Sequence, residues 1–253
     1  MALILCLETA TEVCSVALFR DEILLGMKES SVRNVHSSLL TLFIESVTKE
    51  SGTKLKELDA IAISMGPGSY TGLRIGVATA KGLCYALDKP MIAVSTLQAM
   101  AIGINYKLQI TNFESADEMQ NAKCKMQNAK LSNAILFCPM IDARRMEVYC
   151  AVFDKENKEM REVHAEIIDE FSFQGFLADN TLVFGGEGAE KCKPALESHP
   201  NAIFLNDFRA SAQYMNPLAT AKFNQKQFEN LAYFEPFYLK DFIAGKPRVK
   251  GLH

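Results

Sequence analysis

"LDAIAISM" (58–65), "GPGSYTGLRIGV" (66–77) and "ATAKGLCYAL" (78–87) read in succession as a strand, a glycine-rich turn and a helix. A turn of this kind at a helix start is where backbone N–H groups gather phosphate. Two nucleotide motifs fail on it, however. A Walker A loop requires G-x-x-x-x-G-K-[ST], but Gly72 is followed by Leu73 and Arg74. The dinucleotide fingerprint begins at Gly66 and Gly68 and then finds Thr71 at its third glycine position. The glycines are better explained by packing. Gly72, Gly76, Ala80 and Cys84 recur every four residues, and Ala78, Gly82 and Ala86 form a second small stripe about a third of a turn away. Glycine inside a helix costs about 1 kcal/mol relative to alanine, so close approach of another backbone is expected to offset it. Ser69 or Thr71 is expected to cap this helix.

Working outward, "LILCLET" (3–9), "VCSVALFR" (13–20) and "EILLGMKE" (22–29) predict an antiparallel meander, because their connectors are too short for crossovers. "HSSLLTLFIESVTKES" (36–51) carries Leu39, Leu40, Phe43, Ile44 and Val47 at helical spacing. Residues 90–95 read as a strand and a helix follows from about Thr96, giving β-β-β-α-β-α-β-α over the first hundred residues. The second half repeats the pattern. Strands are expected at 133–143, 145–154 and 161–168, a helix from about Asp169, a strand at 181–186, a helix near 187–197, a strand at 202–206 and a final helix over about 210–231. No residue-level repeat joins the halves, but the order of elements predicts an α/β protein of two similar lobes. The division expected is residues 1–108, an inserted connector at 109–132 and residues 133–253. The connector contains a polar near-duplicate, "MQNAKCK" (119–125) and "MQNAKLS" (126–132), read as solvent-facing and of low functional weight.

The chain has 253 residues, a net charge of −3 and 49% hydrophobic residues, as in ordinary globular proteins. A broadly electropositive nucleic-acid surface is excluded. "MALILCL" meets Glu8 at once and lacks the basic start of a signal peptide, and no apolar run reaches the ~20 residues of a membrane span. A cytoplasmic protein with no membrane contact is expected. The seven cysteines include no C-x-x-C pair and sit mostly in apolar runs, so structural thiols are expected. The four histidines, His36, His164, His199 and His253, include no pair at ligand spacing, and none is expected to hold a metal. His164, within an apolar strand pattern, reads as a structural histidine.

The stretches "LETATEVCSVAL" (7–18), His36, residues 58–101, "DARRMEVY" (142–149) and "EPFYLK" (235–240) together resemble the TsaB (YeaZ) family of the bacterial tRNA threonylcarbamoyladenosine pathway. The wider group includes TsaD and its archaeal and eukaryotic counterpart. The resemblance implies a two-lobed actin/Hsp70-like ATPase fold built from duplicated βββαβα lobes. TsaD-like relatives hold a metal through an H-x-x-x-H pair, and the matching positions here are Thr96 and Met100. In such folds each lobe's first turn wraps phosphate with a close-approach glycine. The turns here read "ETAT" (8–11) and "DAR" (142–144), with Ala10 and Arg144 where a residue without Cβ lets amides reach phosphate. Glu8, Thr9, Gly66, Ser69, Asp142, Gly185 and Gly186 therefore line an eroded nucleotide cleft in this reading. No catalytic residue, cofactor or metal is expected on this subunit; ATP and metal belong to its partners.

The function implied is that of a non-catalytic partner that binds and activates a TsaD-like transferase, with a TsaE-like ATPase joining and tRNA reached through the complex. Helices 36–51 and 71–87 would pack on matching TsaD helices, or on a second copy as a homodimer, through Leu39, Phe43, Arg74, Ile75, Ala78 and Gly82. Two alternatives stand beside it. A hydrolase or peptidase would need Ser69 or Thr71 activated near His36. A direct tRNA-binding module would use Lys240, Lys246, Arg248 and Lys250 of the tail, or Lys123, Lys125 and Lys130 of the connector.

Overall fold

The computed structural model describes residues 1–32, 35–111 and 134–240. Strands β1 (Leu3–Glu8), β2 (Cys14–Arg20) and β3 (Ile23–Ser30) form the expected meander, followed by α1 (His36–Glu50), β4 (Ala60–Gly66), α2 (Tyr70–Leu87), β5 (Met91–Ser95) and α3 (Thr96–Thr111). The second half supplies β6 (Ala134–Asp142), β7 (Glu147–Phe153), β8 (Glu159–Ile167), α4 (Gln174–Leu177), β9 (Asn180–Gly185), α5 (Glu187–Leu196), β10 (Ala202–Leu205) and α6 (Asn216–Asn224). The sheets run β3-β2-β1-β4-β5 and β8-β7-β6-β9-β10, the same order twice. In each, the first three strands pair antiparallel and the last two join in parallel through helical crossovers. This is the duplicated βββαβα arrangement of two α/β lobes. The duplicated "MQNAK" segment and Lys246, Arg248 and Lys250 lie outside the described residues.

Two expectations for helices need correction. The helix predicted from Asp169 is only α4, four residues long. Asp169 Oδ1 accepts the Phe171 N–H at 3.0 Å and the Ser172 hydroxyl at 3.0 Å, and Phe173 takes φ 63°, so side-chain turns compete with helix over 169–173. The helix predicted over 210–231 is a 3-10 turn at Ala212–Met215 followed by α6, which stops at Asn224. Beyond it Lys226 has φ 55° and the chain crosses back over the first sheet. There the Glu229 N–H donates to Met91 O (2.9 Å), the Phe237 N–H donates to Met65 O (2.7 Å), and Leu231 and Phe234 pack on the core beneath α1 and α2.

Three apolar clusters hold the molecule. One lies under α1 and α2, with Leu5, Leu40, Ile44, Ile63 and Val77 buried together. A second lies under α4 and α5, around Val148, Phe173 and Phe184. The third joins the two lobes across α3, where Leu97, Met100 and Ile104 meet Phe137, Val183 and Phe208. Burying a residue of this size contributes about 1.5–3 kcal/mol. Fixed by this shared core, the lobes bring the turn after β1 close to Gly186 and Glu187.

Candidate functional site

Helix α2 is where the small residues act. Ser69, one of the two capping candidates of the sequence, accepts the Gly72 N–H at 3.3 Å and caps it. The Ser69 N–H in turn donates to Ala10 O at 2.6 Å. A Cβ on Gly68 would stand 2.2 Å from Ala10 O, one on Gly72 would stand 2.1 Å from Thr9 O, and one on Gly76 would stand 2.1 Å from Thr9 Oγ1. The glycines thus admit the backbone of the β1–β2 turn, and carbonyl oxygens occupy the face of the helix that they open. Gly66, at φ 109°, could carry no side chain either, since its Cβ would meet Phe237 O at 2.7 Å.

The second small stripe faces the other way. Arg74, Ala78, Gly82, Tyr85 and Ala86 are exposed, and Ile75 is half-buried. Among the described residues nothing lies within 4 Å of a Cβ placed on Gly82. On the adjoining α1, Leu42 is exposed and Leu39 and Phe43 are half-buried against the core. Arg74 donates to the Tyr70 hydroxyl at 2.9 Å, and the Tyr70 ring meets that of Tyr238 at 5.0 Å.

Between the lobes, Glu8 and Thr9 are fully buried. Glu8 accepts the Ala10 N–H at 2.6 Å, and the Thr9 N–H donates to Ser64 Oγ at 3.2 Å. Burial pushes the Glu8 carboxyl up to about 7, with hydrogen bonds from Ala10 and Ser64 opposing it and Glu187 adding to it. Glu187 is also raised, chiefly by burial, with Arg209 opposing the shift from 3.9 Å, and neither of its oxygens has a hydrogen-bond partner among the described residues. The sequence reading missed Glu187; its only local signal is an acidic residue directly after a glycine pair. In the second lobe, Asp142 accepts the Arg144 N–H at 2.8 Å and pairs with Lys191. Arg144 stands at φ 73°. Gly185 packs against Ile104 and Phe208, while Gly186, at φ 110°, lies against Met140 O. Asp142 is therefore engaged with its own lobe, whereas Gly186 lies between its own lobe and α3. Thr96 and Met100 are buried; the Met100 terminal methyl would stand 2.7 Å from a Cβ on Gly186, so thioether fills the space beside this turn.

His36 Nε2 donates to Val13 O at 3.2 Å, and no hydrogen bond among the described residues links it to Ser69 or Thr71. Lys240 pairs with Glu147 and lies 5.9 Å from the Tyr149 ring. Among the described residues no helix is long and apolar enough to cross a membrane. The described cysteines are all free and buried, and burial pushes Cys6 up to about 12.

Comparison with known proteins agrees with this architecture. The family described as TsaD: tRNA N6-adenosine threonylcarbamoyltransferase matches residues 26–113, from β3 to the end of α3. The tRNA threonylcarbamoyladenosine biosynthesis protein TsaB of Escherichia coli (strain K12) is 29% identical over 96% of each chain. That of Haemophilus influenzae (strain ATCC 51907 / DSM 11121 / KW20 / Rd) is 28% identical over 96% of this chain and 95% of its own. The structure of YeaZ from Pseudomonas aeruginosa superposes with a TM-score of 0.74 at 22% identity, covering 94% of this chain and all of that one. Along nearly the whole of both chains, then, this chain is similar in sequence to TsaB proteins and shares the fold of YeaZ.

Proposed function

We propose that this chain is a non-catalytic subunit of cytoplasmic tRNA threonylcarbamoyladenosine biosynthesis that binds a TsaD-type transferase through the outer faces of α1 and α2 and activates it. The observation that carries this is Gly82. It sits inside an 18-residue helix, costs about 1 kcal/mol of helix stability, and among the described residues has nothing within 4 Å that needs its missing side chain. Ala78 and Ala86 extend the same narrow, exposed stripe, with Leu42 exposed on the neighbouring helix. A facing helix can approach a stripe of small side chains closely, so the stripe and the apolar residues flanking it form the proposed surface. Leu39, Phe43, Arg74 and Ile75 border it, and in the absence of TsaD the same face pairs two copies of this chain. A TsaE-type ATPase joins the assembly, tRNA is reached through the complex, and ATP and the metal of the transfer reaction sit on the partners. The match of a TsaD family to residues 26–113, which include both helices, supports a related partner surface.

The test is calorimetric titration of this chain with a TsaD-type transferase, followed by reconstituted tRNA modification. Ala78→Arg and Gly82→Leu should weaken binding and modification together while the isolated chain keeps its far-ultraviolet circular dichroism. Unchanged affinity in both variants would refute the surface.

A further inference from the structure

Strand β8 carries His164 and Glu166 two residues apart, hence on one face, and β7 sets Cys150 directly opposite His164. The three donor atoms form a triangle. Cys150 Sγ is 3.8 Å from His164 Nε2 and 3.7 Å from Glu166 Oε2, and Nε2 is 2.9 Å from Oε2. Zinc binds sulfur at ~2.3 Å and nitrogen or oxygen at ~2.0–2.2 Å, which in a tetrahedron spaces such donors about 3.3–3.6 Å apart. The two sulfur edges need to shorten by a few tenths of an ångström at most, and the Nε2–Oε2 edge to lengthen by about half an ångström.

Hydrogen bonding around the ring points the same way. His164 Nδ1 lies 2.8 Å from Glu162 O, an oxygen that only accepts, so Nδ1 carries a proton. In the neutral ring, Nε2 then turns its lone pair toward the Glu166 carboxylate, acceptor against acceptor. A second ring proton or a cation resolves that conflict. An imidazole whose far nitrogen donates to a backbone carbonyl is also the arrangement that orients metal-bound histidines.

We propose that Cys150, His164 and Glu166 bind one zinc-class divalent ion through a thiolate, Nε2 and a carboxylate oxygen. Magnesium and calcium prefer all-oxygen sets and are disfavoured by this donor mixture. The Cys150 side is buried, whereas the His164 and Glu166 side chains are 30% and 21% accessible, so the ion enters from solvent and keeps a fourth position open toward it. Arg161 holds Glu166 Oε2 at 2.8 Å and lies 5.1 Å from the Phe173 ring. Rotating the carboxylate leaves one oxygen to the guanidinium and gives the other to the ion. The site lies in the second sheet, away from α1 and α2, and does not depend on the partner reading.

The full chain, stripped with a chelator, is titrated with cobalt(II) and then zinc. One equivalent of cobalt should produce a thiolate-to-cobalt absorption band, which zinc removes. Cys150→Ser should abolish the band, and Glu166→Gln should weaken binding by at least the ~10–100-fold that outer-shell changes cost. Cys84→Ala, in the other lobe, should leave the band intact. If Cys150→Ser does not fold, Glu166→Gln decides. A folded wild-type chain with neither the band nor a heat of zinc binding would overturn the proposal, leaving an imidazolium–carboxylate pair. Wild-type affinity in Glu166→Gln, or a band that survives Cys150→Ser, would overturn it too.

Discussion

The Ser69 backbone N–H donates to the Ala10 carbonyl across 2.6 Å, joining the turn after β1 to the capping residue of α2. The N–H that begins a glycine-rich helix turn is thus spent on this chain's own backbone. The two carbonyls of that turn, Thr9 O and Ala10 O, also press on Gly72 and Gly68. Oxygen acceptors stand where an anion would need donors, and this is the physical sense in which "GPGSYTG" is a packing motif.

The two stripes of α2 therefore predict opposite outcomes for one substitution. Gly72→Ala and Gly76→Ala each drive a methyl to 2.1 Å from a Thr9 oxygen and should cost about 1–3 kcal/mol of stability as overpacking. Gly82→Ala meets nothing and should stabilise the isolated chain by up to about 1 kcal/mol. Urea denaturation of the three variants checks the signs. A loss at Gly82 as large as at Gly72 would contradict the division of the helix into buried and open stripes.

That division was only half legible in the sequence. Fourfold spacing identifies both stripes, and the hydroxyls at the glycine turn narrow the cap to Ser69 or Thr71, because both are local features. Which stripe is buried depends on the β1–β2 turn some 60 residues away in sequence, and no local pattern reports it. The same limit hid the Cys150–His164–Glu166 cluster, since H-x-E meets its cysteine only through the β7–β8 register. The two failed helices are cases in which local chemistry won. Asp169 and Ser172 form their own turn, and Leu231 and Phe234 have a helix-like spacing yet pack from an irregular strap.

Glu8 predicts a stability that falls with rising pH. Its carboxyl is ordinary in the unfolded chain, near 4.5, but stands at about 7 when buried. Below pH 4.5 both states are protonated and no penalty arises. Between 4.5 and 7 the unfolded chain releases the proton and the folded chain retains it, so stability declines. Above 7 the decline is complete, at roughly 3 kcal/mol by linkage. Glu8→Gln should be more stable than wild type at pH 8 and flatten the dependence of Tm on pH between 5 and 7.5. Some slope remains from Glu187, which is shifted in the same direction. An unchanged slope in Glu8→Gln would show that this buried carboxyl does not govern it.

The carboxy-terminal strap links stability to the proposed partner surface. Tyr238 meets Tyr70 at 5.0 Å, and Tyr70 accepts from Arg74 at the head of the exposed stripe. An aromatic pair of this kind is worth about 0.5–1.5 kcal/mol beyond its buried area. Tyr238→Ala should lower Tm modestly and weaken association with a TsaD-type protein by releasing Tyr70 and Arg74. Tyr238→Phe should restore both. Thermal melts paired with calorimetric titration separate the two effects.

Thr96 and Met100 test whether the interlobe space is held by apolar packing. Met100 is 1% exposed within the cluster shared by both sheets, so Met100→Ala should cost about 2–5 kcal/mol. Thr96 is fully buried and its hydroxyl has no hydrogen-bond partner among the described residues, while Ser95 accepts the Gln98 N–H at 3.4 Å in the first turn of α3. Leaving a buried hydroxyl unpaired costs about 1–3 kcal/mol, so Thr96→Val, nearly the same shape, should stabilise the chain. Opposite shifts in the urea midpoint for these neighbours would mark the space as a dry core. Destabilisation by Thr96→Val would instead mean that the hydroxyl has a partner in solution, and that polar contacts help hold the lobes together there.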